Sequence, residues 1–102
     1  MNKLLILGAT YHEITIIDRA RSKGIYTIVT DSNYDYSKSP AKFHADEAWD
    51  ISWSDIDALY IKARERGVDG VLAGFSEFRV ENMIKLSEKL QTAYFFADSY
   101  LT

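Results

Sequence analysis

The chain has 102 residues, 47% of them hydrophobic and 26% charged, which fits one globular domain with a small core. Its formal charge of −3, with Lys and Arg scattered along helix-like segments, argues against nucleic acid as a partner, because phosphate binding needs clustered cations. It contains no cysteine, which excludes a disulfide framework, a thiol nucleophile and a thiolate metal site.

The chain alternates strand-like and helix-like segments. Leu4 to Leu7 is apolar without alternation, as a strand covered on both faces requires. It stops at Gly8, and Thr10 with Glu13 forms a T-x-x-E capping box that predicts a helix from about Tyr11 to Lys23, with Ile14, Ile16, Ile17 and Ala20 facing inward and Gly24 as its stop. Strand two is Ile25 to Thr30 and ends at Asp31. Ser32 to His44 reads as a long polar loop holding the only proline, Pro40. A short strand follows over Glu47 to Ile51. Ser54 and Asp57 open a helix whose Ile56, Leu59, Tyr60 and Ala63 lie at i, i+3, i+4 and i+7. Strand four is Gly70 to Ala73. Ser76 caps a third helix that runs to about Leu90, with Val80, Met83, Ile84, Ser87 and Leu90 inward, and Tyr94 to Ala97 completes the sheet.

Right-handed crossovers then predict an α/β fold: a Rossmann-like, doubly wound parallel sheet in the order 3-2-1-4-5, with helices on both faces. Ligands in such sheets bind at the carboxyl edge, where the strand order reverses, here between strands one and four. The turns meeting there bring together Gly8, Thr10, Asp31, Gly74, Ser76 and Glu77 as candidate substrate-binding residues. Two helix N-termini would point into that crevice and favour a carboxylate- or phosphate-bearing small molecule, with Glu77 meeting a hydroxyl or amine.

Familiar chemistries fit less well. Of the dinucleotide fingerprint G-x-G-x-x-G, the stretch Gly8 to Glu13 keeps only the first glycine, and Asp31, placed like a ribose-binding acid, is more readily a strand-ending turn residue. Phosphoryl-acceptor chemistry would need an acidic pair after strand one and a Lys near strand five, and neither is present. His12 and His44 make no metal-ligand spacing, and no catalytic residue or metal ligand is assigned. Trp49, Trp53, Phe75 and Tyr94-Phe95-Phe96 read as core or interface. No apolar run reaches membrane-spanning length, and Met1 leads directly into strand one, so the expected location is cytoplasmic, with no membrane partner.

The order of these segments resembles the N-terminal, pre-ATP-grasp domain of ATP-grasp ligases, most of all the carbamoyl phosphate synthase large subunit and biotin carboxylase group. Leu4-Leu5-Ile6-Leu7-Gly8, Asp31-Ser32-Asn33 with Ser39-Pro40-Ala41 and Ala45-Asp46-Glu47-Ala48, Asp69 to Gly74, and Ser76-Glu77 with the following helix carry the resemblance. Leu90-Gln91-Thr92-Ala93 lacks the Gly and Pro that the family usually carries before strand five. The resemblance implies one domain over residues 1–102, a fragment without the downstream ATP-grasp domains. It would form one wall of a substrate pocket in an ATP-dependent carboxylate–amine ligase and be noncatalytic by itself. ATP and magnesium are implied only for the full-length ligase, and none is expected in this chain. The missing ATP-grasp domains are implied partners, and a homodimer is expected from aromatic surface left uncovered. The alternative is a stand-alone Rossmann-like nucleotide-binding module.

Overall fold

The computed structural model describes residues 2–97. Parallel strands β1 (Lys3–Leu7), β2 (Tyr26–Thr30), β3 (Glu47–Trp49), β4 (Gly70–Ala73) and β5 (Ala93–Phe96) form one sheet in the order β3-β2-β1-β4-β5. Helices α1 (His12–Ser22), α2 (Ile56–Arg66) and α3 (Glu77–Leu90) connect them. Class, order and direction agree with the sequence reading.

The unbroken apolar run of β1 explains its central place. Leu4 and Ile6 pack with Ile16, Ile17 and Ala20 of α1 on one face. Leu5 and Leu7 pack with Leu59 and Ala63 of α2 and Met83 and Leu86 of α3 on the other. All four β1 leucine and isoleucine side chains are fully buried, each contributing about 1.5–3 kcal/mol.

Three local expectations change. The α1 stripe is rotated: Glu13 is buried with Ile16, Ile17 and Ala20, while Ile14 is only half-buried. The cap of α2 is Asp55, whose carboxylate accepts from the Ala58 amide at 3.2 Å; Ser54 instead pairs with Ser52, and Asp57 accepts from Lys89 Nζ of α3 at 2.8 Å. The polar loop is ordered into two 3₁₀ turns, Tyr36–Lys38 and Pro40–Phe43.

β5 forms without the missing Gly. Gln91 ends α3 in the left-handed conformation (φ 58°, ψ 45°) that a glycine would adopt freely, and β5 then pairs along β4 from Gly70↔Ala93 to Ala73↔Phe96. Beyond Ala97 the expected chain end lies outside the described residues. At the opposite edge of the sheet, the Asp69 carboxylate accepts from the amides of Asn2 and Lys3, fastening the start of β1 to that of β4.

Candidate functional site at the strand-order reversal

The register Ile6↔Leu72 brings β1 and β4 to the same edge, so the turns at Gly8 and Gly74 leave the sheet side by side. The β2 end joins them. The Gly8 amide donates to the Thr30 carbonyl at 3.0 Å, and the Ala41 amide of the long loop donates to the Ala9 carbonyl at 3.1 Å. All six candidate residues therefore lie at one edge, five on the turns and Glu77 as the first residue of α3.

Thr10 and Glu13 do pair, but as a turn just ahead of the helix and not as its cap: α1 is capped by Tyr11 without a side-chain bond, the Glu13 amide donates to the Thr10 carbonyl, and the pair is tied to a partner the sequence reading missed. Thr10 Oγ1 accepts from the His12 amide at 3.3 Å, and Glu13 Oε1 reaches back to the Thr10 amide at 3.4 Å. Thr10 Oγ1 donates to Glu13 Oε2 at 2.7 Å, and Arg79 Nη1 donates to Glu13 Oε1 at 2.8 Å. Glu13 is 1% exposed, so its charge must be paired, and Arg79 supplies the pair. The same Nη1 lies 3.5 Å from the Leu7 carbonyl. The Arg79 amide in turn donates to Ser76 Oγ, the cap of α3, at 3.4 Å. Thr10, Glu13, Arg79 and Ser76 thus link the two helix starts.

This network also explains Gly8. Its φ is +121°, and a Cβ there would overlap Arg79 Nη1 and lie 2.5 Å from Glu13 Oε1. The space above Gly8, where the lack of a side chain would otherwise let a ligand approach the backbone, is filled by the guanidinium. Gly74 has a similar constraint, since a Cβ there would overlap that of Ala97.

Asp31 belongs to a second network. Its Oδ2 accepts from Ser39 Oγ, and its Oδ1 accepts from the Asn33 amide at 2.9 Å and from Lys42 Nζ at 2.8 Å. Lys42, with a side chain wholly shielded from solvent, also donates to Asp50 Oδ1 at 2.8 Å and to the Asn33 carbonyl at 2.6 Å. Burial alone would lower the Lys42 pKa; the hydrogen bonds and charges of Asp31 and Asp50 outweigh it and hold the pKa above the usual lysine value. Both Asp31 oxygens are thus engaged in ordering the 32–44 loop. Only spatial proximity could have revealed this partnership, because nothing in the spacing of Asp31 and Lys42 signals it.

The third feature is a cavity of about 420 Å³ on the β5 side of α3, lined among others by Gly74, Ser76, Glu77 and Phe96. Glu77 is exposed at its mouth. Phe75, at φ 65°, holds a conformation that costs an L-residue about 1–2 kcal/mol. Its ring lies 5.4 Å from that of His12, which stacks 4.2 Å from Tyr11, so an aromatic rim crosses from one helix start to the other. Among the described residues no three His, Asp or Glu side chains converge as metal ligands, and no helix is long and apolar enough to cross a membrane.

No protein-family model matches the sequence, and no curated protein matches it. Solved structures do. Phosphoribosylglycinamide synthetase from Anaerococcus prevotii is 25% identical over 88% of this chain and 22% of its own, with a TM-score of 0.73. N5-carboxyaminoimidazole ribonucleotide synthetase from Thermotoga maritima is 25% identical over 91% of this chain and 24% of its own, with a TM-score of 0.67. The biotin carboxylase domain dimer of 2-oxoglutarate carboxylase from Hydrogenobacter thermophilus, in complex with MgADP and bicarbonate, shares the fold at 23% identity and a TM-score of 0.72, over 91% of this chain and 22% of its own. The chain spans less than a quarter of the length of each of these three. These structural neighbours are ATP-grasp ligases, and the chain resembles their N-terminal, pre-ATP-grasp portion.

Proposed function

We propose that this chain is the substrate-side N-terminal domain of an ATP-dependent carboxylate–amine ligase of carbamoyl phosphate synthase-like type, acting in the cytoplasm and noncatalytic by itself. The observation that carries the reading is the convergence of the Gly8, Thr10, Asp31 and Gly74-Ser76-Glu77 turns at the strand-order reversal of a fold held in common with ATP-grasp ligases. In this reading the exposed Glu77 carboxylate receives an amine or hydroxyl of a small substrate. Gly8, Thr10, Gly74 and Ser76 shape the wall, and Asp31 acts through the loop it orders. ATP and magnesium belong to further domains. Exposed Phe75, Tyr94 and Phe96, each close to half exposed, would be covered by those domains or by a second copy in a homodimer.

The alternative, a stand-alone nucleotide-binding module, needs Asp31 free to receive a ribose. Its two oxygens are already occupied by Ser39, Asn33 and Lys42, which favours the ligase reading. A thermal-shift panel of ATP, NAD, NADP, small amines and small carboxylates tests the choice. The expected result is a rise in Tm with members of the amine and carboxylate set, no shift with the nucleotides and no ATP hydrolysis. A saturable shift with NAD or ATP alone would overturn the ligase reading.

A further inference from the structure

We propose that the Nε–Nη2 edge of Arg79 is an anion subsite in the crevice between β1 and β4, built to take a carboxylate or phosphate group of a small molecule. The inference deepens the ligase reading and rests on it only for the identity of the molecule that carries the anion.

Arg79 is fixed on one side and open on the other. Its side chain is 16% exposed. Nη1 is committed to Glu13 Oε1 and the Leu7 carbonyl, and the guanidinium carbon lies 5.9 Å from the centre of the Trp53 ring. Nε and Nη2 have no acceptor among the described residues. Solvent still reaches them, because the one sealed side-chain polar atom without a partner among those residues is Thr92 Oγ1.

Nε and Nη2 carry parallel N–H bonds on the same side of the guanidinium, spaced to meet both oxygens of a carboxylate or two of a phosphate. The molecule already uses this edge once. Arg66 Nε and Nη2 hold the Glu47 carboxylate at 3.1 and 2.7 Å. Arg66 is exposed and surrenders rotamer freedom to make that pair. Arg79 has been immobilised beforehand by Glu13, Leu7 and Trp53, so an arriving anion meets a preorganised fork. The fork stands where the α1 and α3 starts add positive potential. Glu77 and Glu81 are exposed on α3 and oppose a dianion more than a monoanion, which sets carboxylate and phosphate apart.

The test is an NMR titration of the chain with potassium acetate and, separately, potassium phosphate, at constant ionic strength made up with chloride. The reporter is the Arg79 side-chain Nε–Hε resonance. A saturable shift with acetate alone identifies a carboxylate subsite; with phosphate alone, a phosphate subsite; with both, their shared chemistry. R79K keeps the cation and removes the fork, so it should weaken the apparent affinity at least about tenfold while the remaining backbone spectrum keeps its dispersion. Absence of a saturable Arg79 shift with either anion overturns the proposal, as does equal affinity in R79K. If R79K does not fold, the wild-type resonance decides. The two readings fail separately. Amines that still shift the Ser76 and Glu77 amides in the absence of an Arg79 response leave the ligase reading intact without the subsite. Nucleotide binding with an intact Arg79 response does the reverse.

Discussion

Gly8→Ala is expected to destabilise the domain severely, and the cost can be worked from two contributions. At φ +121° an alanine carries backbone strain of about 1–3 kcal/mol. Its Cβ would overlap Arg79 Nη1, so the guanidinium must withdraw from Glu13. Glu13 is 1% exposed, and stripping a buried charge of its partner costs about 3–5 kcal/mol. The sum is at least about 4 kcal/mol, against about 5–15 kcal/mol of total stability for a domain of this size. Urea denaturation of the wild type, Gly8→Ala, Arg79→Ala and the double variant forms a cycle that separates the contributions. With Arg79 truncated, the second contribution has already been lost, so Gly8→Ala should cost only the backbone strain and the small shift that moves Glu13 Oε1, 2.5 Å from the new Cβ, out of its way. A coupling of about 2 kcal/mol or more is therefore expected. Equal costs of Gly8→Ala in both backgrounds would refute the claim that this glycine exists to admit the arginine.

Glu47 is held at a pKa of about 2 against an ordinary 4.5, chiefly by the Arg66 guanidinium, with Trp49 Nε1 and the Tyr26 hydroxyl assisting against burial. Its stabilising effect is present above pH 4.5 and is lost as pH falls through about 2; discounted for the half-exposed Arg66, it is about 1–2 kcal/mol. Glu47→Gln should lose that amount at pH 7 and converge on wild type near pH 2, and a difference independent of pH in urea melts would contradict the assignment. Lys42→Met leaves Asp31 and Asp50 without their buried cation and should cost about 3–5 kcal/mol, with amide exchange rising first across residues 32–44; unchanged protection there would refute the role given to Lys42. Gln91→Gly relieves the left-handed end of α3 and should raise stability by up to about 1 kcal/mol, read from the denaturation midpoint, whereas a loss would show that the Gln91 side chain matters.

What could be read in the sequence was whatever depends on neighbours along the chain. The apolar run of β1, the i, i+3, i+4, i+7 pattern of α2 and the Ser76 cap each reflect a local periodicity or a short-range hydrogen bond, and they carried strand order and the location of the crevice with them. The charge networks were not legible. Arg79 lies far from Glu13 in sequence and looks like any helical arginine. Lys42 sits in a polar loop where a solvated lysine is the ordinary reading, yet it is fully shielded. Glu13 was recognised as half of a capping box, but its burial rotates α1, and that depends on the arginine arriving from another helix. The end of α3 at Leu90 was legible, but the left-handed conformation of Gln91 that makes it was not, because its residue type does not advertise that backbone conformation.

The position of β1 bears on how the molecule comes into being. Of the strands described it is the first in the chain, yet one of its two flanking partners, β4, follows only after β2, β3 and α2. Every strand pair is parallel, so no hairpin offers a local nucleus, and each pairing must close a crossover before it is rewarded. During synthesis the most apolar strand therefore waits with one edge unsatisfied until Gly70–Ala73 leaves the ribosome. Stalling translation between α2 and β4 should yield a nascent chain that is protease-sensitive and bound by chaperones, and a few residues more, enough to release β4, should convert it to a compact one.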